Sequence, residues 1–221
     1  MNVSEAVANR RSIRSFSSQP VDDNVIKRVL DKASRSPSGG NVQPWRFYVL
    51  NNDAMERFKQ TAEAALTSGK PQNIEYSIYP PKLQEPYRSS RFKCGEDMYK
   101  LLEIEREDKP ARLNWLSNNY RFFGAPAGLF CFIDRGMGAP QWSDLGMILQ
   151  TIMLLFQEEG IDTCAQEAWS QMASTVHEFV EPPENLMLFC GMAIGYRDQA
   201  AAVNGLVTDR APLEDWATFL S

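Results

Sequence analysis

Apolar side chains recur at helical spacing in several stretches, with shorter apolar runs between them. Val25, Ile26, Val29, Leu30 and Ala33 fall on one helical face behind Asp22 and Asp23, which can cap it. Met55, Phe58, Ala62, Ala65 and Leu66 repeat the pattern after a β-branched and aromatic strand at residues 45–50. Ser4 is expected to cap a first helix reaching about residue 10. Further helical patterns surround Met98, Leu101, Leu102 and Glu105, then residues 113–123, where Gly124-Ala125-Pro126 stops the run. Residues 128–134 read as a buried strand, residues 161–164 as a short one, and residues 186–194 as the clearest strand of all. Ser143 is expected to cap a helix over 144–159 that ends at Gly160. That helix is apolar nearly all round, so it belongs at the centre of the fold or in a subunit interface. Trp169, Met172, Ala173, Val176 and Val180 mark another helix, and Pro212 opens a last turn or two through Trp216 and Phe219. Helices and strands interleave, which predicts an α+β or α/β fold in one domain over residues 1–221.

Residues 69–92 break the pattern. Pro71, Pro80, Pro81 and Pro86 alternate with Tyr76, Tyr79 and Tyr87, which predicts an irregular excursion over the surface. Such a segment is either a lid or binding loop, or an insertion that only covers core.

Composition narrows the function classes. The chain has 221 residues, 43% hydrophobic and 23% charged, so it can bury a core without metal or disulfide staples. A net charge of −5 argues against a nucleic-acid partner, which needs a surplus of cations to neutralise phosphates. The charge is uneven. Residues 1–35 carry seven basic side chains against four acidic ones, whereas residues 141–221 carry twelve acidic ones against only Arg197 and Arg210. A basic start on an acidic chain suggests one small anion site. The single histidine, His177, excludes a His-rich metal site. Cys94, Cys131, Cys164 and Cys190 form no CxxC pair, so they read as reduced cytoplasmic thiols packed mostly as small hydrophobes. The longest apolar stretch, residues 145–156, is too short to span a membrane, and the first residues carry no export signal.

Four segments could carry chemistry. Arg10, Arg11, Ser12 and Arg14 crowd three guanidiniums and a hydroxyl into five residues, a set able to fork onto phosphate oxygens. The ordinary alternative is a solvated basic helix end. Pro37, Ser38, Gly39, Asn41 and Gln43 form a small-residue loop that lets a flat ligand approach backbone, or else a plain helix-to-strand connection. Ala165, Gln166 and Glu167 follow Cys164 where a strand gives way to a helix, leaving backbone N–H groups unpaired. A Cys164–His177 nucleophile pair is disfavoured, because no orienting carboxylate is identifiable. Finally Arg210 sits alone in an acidic stretch, either as an anion ligand or paired with Asp209 or Glu214. No GxGxxG motif occurs, so a Rossmann domain does not hold any nicotinamide donor.

The order and spacing of these segments resemble the nitroreductase family of FMN-dependent flavoproteins. The resemblance runs from Arg-Arg-Ser-x-Arg-x-Phe at 10–16 and Pro-Ser-Gly-x-Asn-x-Gln-Pro-Trp at 37–45, through Asn119 and Phe123-Gly-Ala-Pro126. It continues with Ser143-Asp144-x-Gly146, residues 160–166 and Arg210-x-Pro-Leu. The excursion looks like the branch that includes nitrobenzoate reductases. The resemblance implies an α+β fold with a central, mostly antiparallel sheet flanked by helices, and a homodimer holding FMN non-covalently at its interface. Arg10, Arg11, Ser12 and Arg210 would hold the phosphate and ribityl chain. Arg14 would reach the pyrimidine edge, where a cation stabilises the anionic reduced ring. Residues 38–43 would come from the partner subunit, and the backbone of Ala165, Gln166 and Glu167 would lie against the ring near N5. Many relatives have Gly at the position of Glu167 or Ala168, and some carry a second basic ligand at Thr208. The implied reaction passes hydride from NAD(P)H through flavin N5 to a nitroaromatic or quinone, so no catalytic histidine or carboxylate is needed. A flavin dehalogenase, a metabolite dehydrogenase and a non-catalytic flavin sensor are the competing readings.

Overall fold

The structure, a computed structural model, describes residues 1–220. Strands β1 (Arg46–Asn51), β2 (Ala127–Asp134), β3 (Asp162–Gln166) and β4 (Leu186–Gly195) form one sheet in the order β1-β2-β4-β3. Every neighbouring pair is antiparallel. The two central strands are apolar on both faces because both faces are covered. Phe130, Phe132 and Leu188 point into one core with α3 (Asn52–Ser68) and α7 (Ala173–Val180). Leu129, Cys131, Ile133 and Met187 point into the other, against α2 (Asp23–Ala33) and α6 (Ala139–Glu158). The expected α+β architecture, an antiparallel sheet flanked by helices, is the one observed.

The amino terminus extends this sheet. After α1 (Val3–Asn9) the chain runs out along the free edge of β3. Ser12 lies opposite Thr163 in a parallel bridge, and the Ile13 N–H donates to the Thr163 carbonyl at 3.1 Å. Phe16 then bridges to Arg197 just past β4.

Several elements differ from their sequence signals. Asn2, not Ser4, caps α1, and it does so in a capping box with Glu5. Helix α6 starts at Ala139 with Pro140 in its first turn, so Ser143 lies inside the helix and its hydroxyl donates to the Pro140 carbonyl at 2.6 Å. It buries Leu145, Ile148, Ile152 and Phe156, while Met147 stays 38% exposed. The run at 113–123 divides into α5 (Lys109–Ser117) and a 3₁₀ segment, Asn118–Gly124. Phe122 and Phe123 there adopt φ of 50° and 52°, which costs roughly 1–2 kcal/mol per residue. Burial of both rings offsets this at about 1.5–3 kcal/mol each. Helix α4 (Tyr87–Leu101) begins inside the segment expected to be irregular, so residues 87–92 are helical. It ends before Leu102 and Glu105 because Glu103 takes a left-handed φ of 54°. Strand β3 is shifted one residue past its expected start, and residues 167–172 form a 3₁₀ turn before α7. After Pro212 only a short 3₁₀ turn, Leu213–Asp215, is present, and it does not reach Phe219.

The centre of the sheet tolerates no added side chain at Gly191, where a Cβ would overlap the Trp169 indole. Gly191→Ala is expected to destabilise the protein by about 1–3 kcal/mol, read as a lower urea midpoint with an unchanged slope. An unchanged midpoint would show that Trp169 has another rotamer available.

Candidate functional site

Two cavities meet at Arg14. The smaller, about 400 Å³, is lined by Arg10, Arg11, Ser12 and Arg14 from the start of the chain and by Thr208 and Arg210 from its end. The larger, about 640 Å³, is lined by residues 164–168 after β3, by Phe92 and Tyr99 of α4, by Trp115 and Leu116 of α5, and by Asn119 and Phe123. Ile78, Tyr79, Arg88 and Arg91 complete its rim. One cavity is therefore basic, the other carries five aromatic side chains, and a single guanidinium belongs to both.

The arginine run is fixed through its backbone. Helix α1 ends at Asn9 with Arg10 as its C-cap, and beyond that cap Ser12 and Arg14 flank Ile13, which is completely buried. The Arg14 N–H donates to Asn204 Oδ1 at 2.9 Å, and Asn204 Nδ2 donates to the carbonyls of Ser15 and Asp198. Asn204 is a buried positioning residue that sequence reasoning missed, and only the turn-forming Asn-Gly pair at 204–205 hinted at it. Among the described residues, none of Arg10, Arg11, Arg14 and Arg210 pairs with a carboxylate. Arg210 is held instead by Thr208, whose hydroxyl accepts from Nη1 at 2.7 Å, while Asp209 pairs with Lys93. The other basic residue of the acidic stretch, Arg197, is committed to Asp162 and locks β4 to β3.

The end of β3 meets the larger cavity. Gln166 is buried; its Nε2 donates to the Asn119 carbonyl at 2.8 Å, and its Oε1 accepts from Trp169 Nε1. Ala165, Glu167 and Ala168 line the larger cavity. Burial raises the Cys164 thiol above its ordinary range, against a smaller pull from Arg14 and Arg10, so it is a neutral thiol. His177 packs on Phe132 and donates to Glu75 at 3.1 Å, and so does not serve Cys164. The orienting carboxylate not identified in the sequence is Glu75, 102 residues away along the chain.

Glu75 belongs to the excursion, which has two parts. Residues 72–76 are pinned to the core. Gln72 exchanges bonds with Thr175, the Asn73 N–H donates to Ser174 Oγ, and the Glu75 N–H donates to the Ser170 carbonyl. Tyr76 stacks on Phe189 and packs at a tilt against Trp142. The Glu75 carboxylate accepts from both Arg135 Nη groups, from His177 and from the Leu188 N–H. Beyond this anchor, Ile78 and Tyr79 reach the larger cavity. The excursion therefore covers core with residues 72–76 and lines the larger cavity with Ile78 and Tyr79.

The loop of Pro37, Ser38, Gly39, Asn41 and Gln43 lines neither cavity. It is tightly wound, with positive φ at Gly40, Asn41 and Gln43, and is tied to α6 where the Gly39 N–H donates to Asp144 Oδ1 at 3.2 Å. One chain does not bring this loop to the arginines.

The residues present fit a phosphorylated, planar group. Unpaired cations line one cavity, aromatic and backbone surface the other, and Arg14 bridges them. A Nitroreductase family profile matches residues 7–196. The chloronitrobenzene nitroreductase of Comamonas testosteroni is 35% identical, over 99% of this chain and 96% of that protein. The 4-nitrobenzoate reductase of Pseudomonas putida is 32% identical, over 97% of this chain and 93% of that protein. Among solved structures, the FMN and NADPH-dependent nitroreductase NfnB from Sphigopyxis sp. strain HMH superposes with a TM-score of 0.96. It is 40% identical, and the match covers 100% of both chains.

The excursion's anchor makes a pH prediction. Burial raises the Glu75 carboxyl, but Arg135, the Leu188 N–H and His177 together outweigh it, so it lies below its ordinary value. Its folded pKa is depressed, so it contributes stability above the unfolded value and loses it as pH falls through the folded one. Glu75→Gln is expected to cost about 1–3 kcal/mol at neutral pH and to flatten the loss of stability below about pH 4.5, measured by urea unfolding at each pH. Parallel pH profiles for the two proteins would rule the anchor out.

Proposed function

The chain belongs to the nitroreductase family, and from that premise we propose that it is an FMN-dependent oxidoreductase that uses NAD(P)H to reduce nitroaromatic or quinone acceptors. The observation that carries the reading is the convergence of four arginines without carboxylate partners among the described residues on one cavity, which Arg14 joins to a second, in a chain of net charge −5.

The residues divide the work. Arg10, Arg11, Ser12 and Arg210 would hold the FMN phosphate and the chain leading from it, because guanidiniums fork onto phosphate oxygens in pairs. Arg14 would sit between phosphate end and ring end, where its fixed charge favours negative charge on the ring. The backbone of Ala165, Gln166 and Glu167 would offer N–H groups to the ring, with Gln166 clamped by Asn119 and Trp169 so that this backbone stays in place. Bound there, FMN would supply the two-electron redox chemistry that links the nicotinamide donor to the acceptor. Phe92, Tyr99, Trp115 and Phe123 give a flat acceptor apolar surface and keep water scarce. The neutral Cys164 and the Glu75-bound His177 are structural in this scheme.

We read the active enzyme as a homodimer. The carboxy-terminal arm leaves Trp216, Phe219 and Leu220 exposed at 69%, 83% and 94%, apolar surface that suits a second copy. A second copy would also bring the loop of Pro37, Ser38, Gly39, Asn41 and Gln43 to the arginines. The free thiols suit a reducing, cytoplasmic setting.

The purified protein is expected to show flavin absorbance that NADPH or NADH bleaches anaerobically; a colourless protein that takes up no added FMN would end the reading. Arg14→Ala and Arg210→Ala are expected to weaken FMN binding by about 10- to 100-fold each, read by fluorescence titration of the apoprotein. Asn41→Ala is expected to weaken it too, although Asn41 touches neither cavity of its own chain. Unaltered affinity in that variant would remove the loop from the site.

A further inference from the structure

We propose that Asp144 is a positioning residue for the FMN site: from α6 it fixes the loop of residues 37–43 in the form in which that loop meets the cofactor of a partner subunit. The inference rests on the flavoenzyme and homodimer readings above. It adds to them a residue that lines neither cavity.

The loop has little of its own to hold it. Residues 39–43 are exposed, and Gly40, Asn41 and Gln43 have positive φ, at 58°, 57° and 49°. Only the first of these is a glycine, so the other two keep a backbone form that persists where the surroundings dictate it. The loop's internal bonds close small turns. The Asn41 N–H donates to the Ser38 carbonyl and the Gln43 N–H to Ser38 Oγ, both at 3.0 Å. Such turns set the local curvature but leave the loop free to swing as a unit. Among the described residues, the other hydrogen bonds of residues 37–43 are also local and reach no farther than Arg46, with one exception. The Gly39 N–H donates to Asp144 Oδ1 at 3.2 Å, across 105 positions of chain.

Asp144 is a fixed point. It lies in the second turn of α6 and is only 3% exposed, next to Leu145, which is locked into the core with Ile148. Its other oxygen, Oδ2, is buried and accepts no hydrogen bond among the described residues. A buried carboxylate oxygen left unpaired works against folding. The core alone therefore does not explain an aspartate here. The bond to Gly39 does, because a carboxylate is a strong acceptor for a lone N–H. This also gives a role to the Ser143-Asp144-x-Gly146 segment, which the two cavities leave without one. Helix α6 packs against β3, and β3 carries the bridge from Thr163 to Ser12. The loop and the arginine run are thus indexed to one rigid framework, although in a homodimer they would serve different sites.

Hydrogen exchange on the purified full chain, with fluorescence titration of its apoprotein by FMN, tests this. Asp144→Ala removes the acceptor, Asp144→Asn keeps Oδ1, and Gly39→Pro removes the donor while leaving α6 untouched. Gly39 opens a 3₁₀ turn behind an extended Ser38 and has open space around it, a position that accepts proline. Asp144→Ala and Gly39→Pro are expected to speed exchange in peptides covering residues 37–45, with α6 and the sheet unchanged. Both are expected to weaken FMN binding about tenfold, and Asp144→Asn to stay within about threefold of the parent. Added to Asn41→Ala, Asp144→Ala is expected to cost less than about twofold more, since the loop is already lost to the site. Unchanged affinity in Asp144→Ala and Gly39→Pro would overturn the proposal, as would losses that add in full to that of Asn41→Ala. Faster exchange throughout α6 and the sheet would overturn it too, because the aspartate would then be merely structural. A parent apoprotein that takes up no FMN would instead end the flavoenzyme reading, and the exchange data would still decide whether Asp144 holds the loop.

Discussion

The burial of Ile13 organises the site. It is the one apolar residue in Arg10-Arg11-Ser12-Ile13-Arg14, and its side chain is completely enclosed while its N–H bonds to the Thr163 carbonyl. Burying such a side chain is worth about 1.5–3 kcal/mol, enough to hold an otherwise polar segment along the edge of β3. Once Ile13 points inward, its neighbours Ser12 and Arg14 must point the other way, as alternation along an extended chain demands. The basic run would otherwise be solvated at the end of α1. Attached to the sheet, it sits where β3 ends and where the carboxy-terminal arm brings Arg210.

Cations elsewhere in the protein mostly have a different task. Arg112 is bound to Glu96, Arg121 to Glu63, Arg135 to Glu75 and Arg197 to Asp162, each joining segments distant in the chain. Such pairs are worth little where they are exposed, but those on Glu75 and Asp162 satisfy carboxylates that burial would otherwise penalise. Of the arginines around the two cavities, Arg10, Arg11, Arg14, Arg91 and Arg210 lack these partners among the described residues, whereas Arg88 pairs with Glu85.

Much of this was legible in the sequence, and the exceptions have physical causes. The central strands β2 and β4 could be read because burial on both faces demands continuous apolar runs. Helices α2 and α3 could be read because one face is buried. The extension of the sheet by residues 12–16 could not: a run of arginines carries no strand pattern, and only the pairing with Thr163 makes it extended. The helical start of α4 was hidden by the prolines just before it, and the split of α5 from its 3₁₀ segment by two phenylalanines whose burial overrides their backbone preference. At the site, Arg10, Arg11, Ser12, Arg14 and Arg210 were visible as concentrations of charge against an acidic background. Asn204, Glu75 and the aromatic lining were not, because each acts through residues far away in the chain. Arg197 and Arg210 looked equivalent until Asp162 was seen to occupy the first.

The excursion combines a fixed part with a free one. Its first part is bound to α7, β4 and the 3₁₀ turn after β3, so any change there would strain the sheet that positions the arginine run. Its tip has no such ties. Tyr79 meets Arg91, and the prolines stiffen the backbone without joining it to the core. Substitutions from Tyr79 to Glu85 can therefore alter the shape and charge of the cavity rim at little cost in stability. The anchor at Glu75 is what makes that freedom harmless, because it fixes the chain to the core before the tip begins.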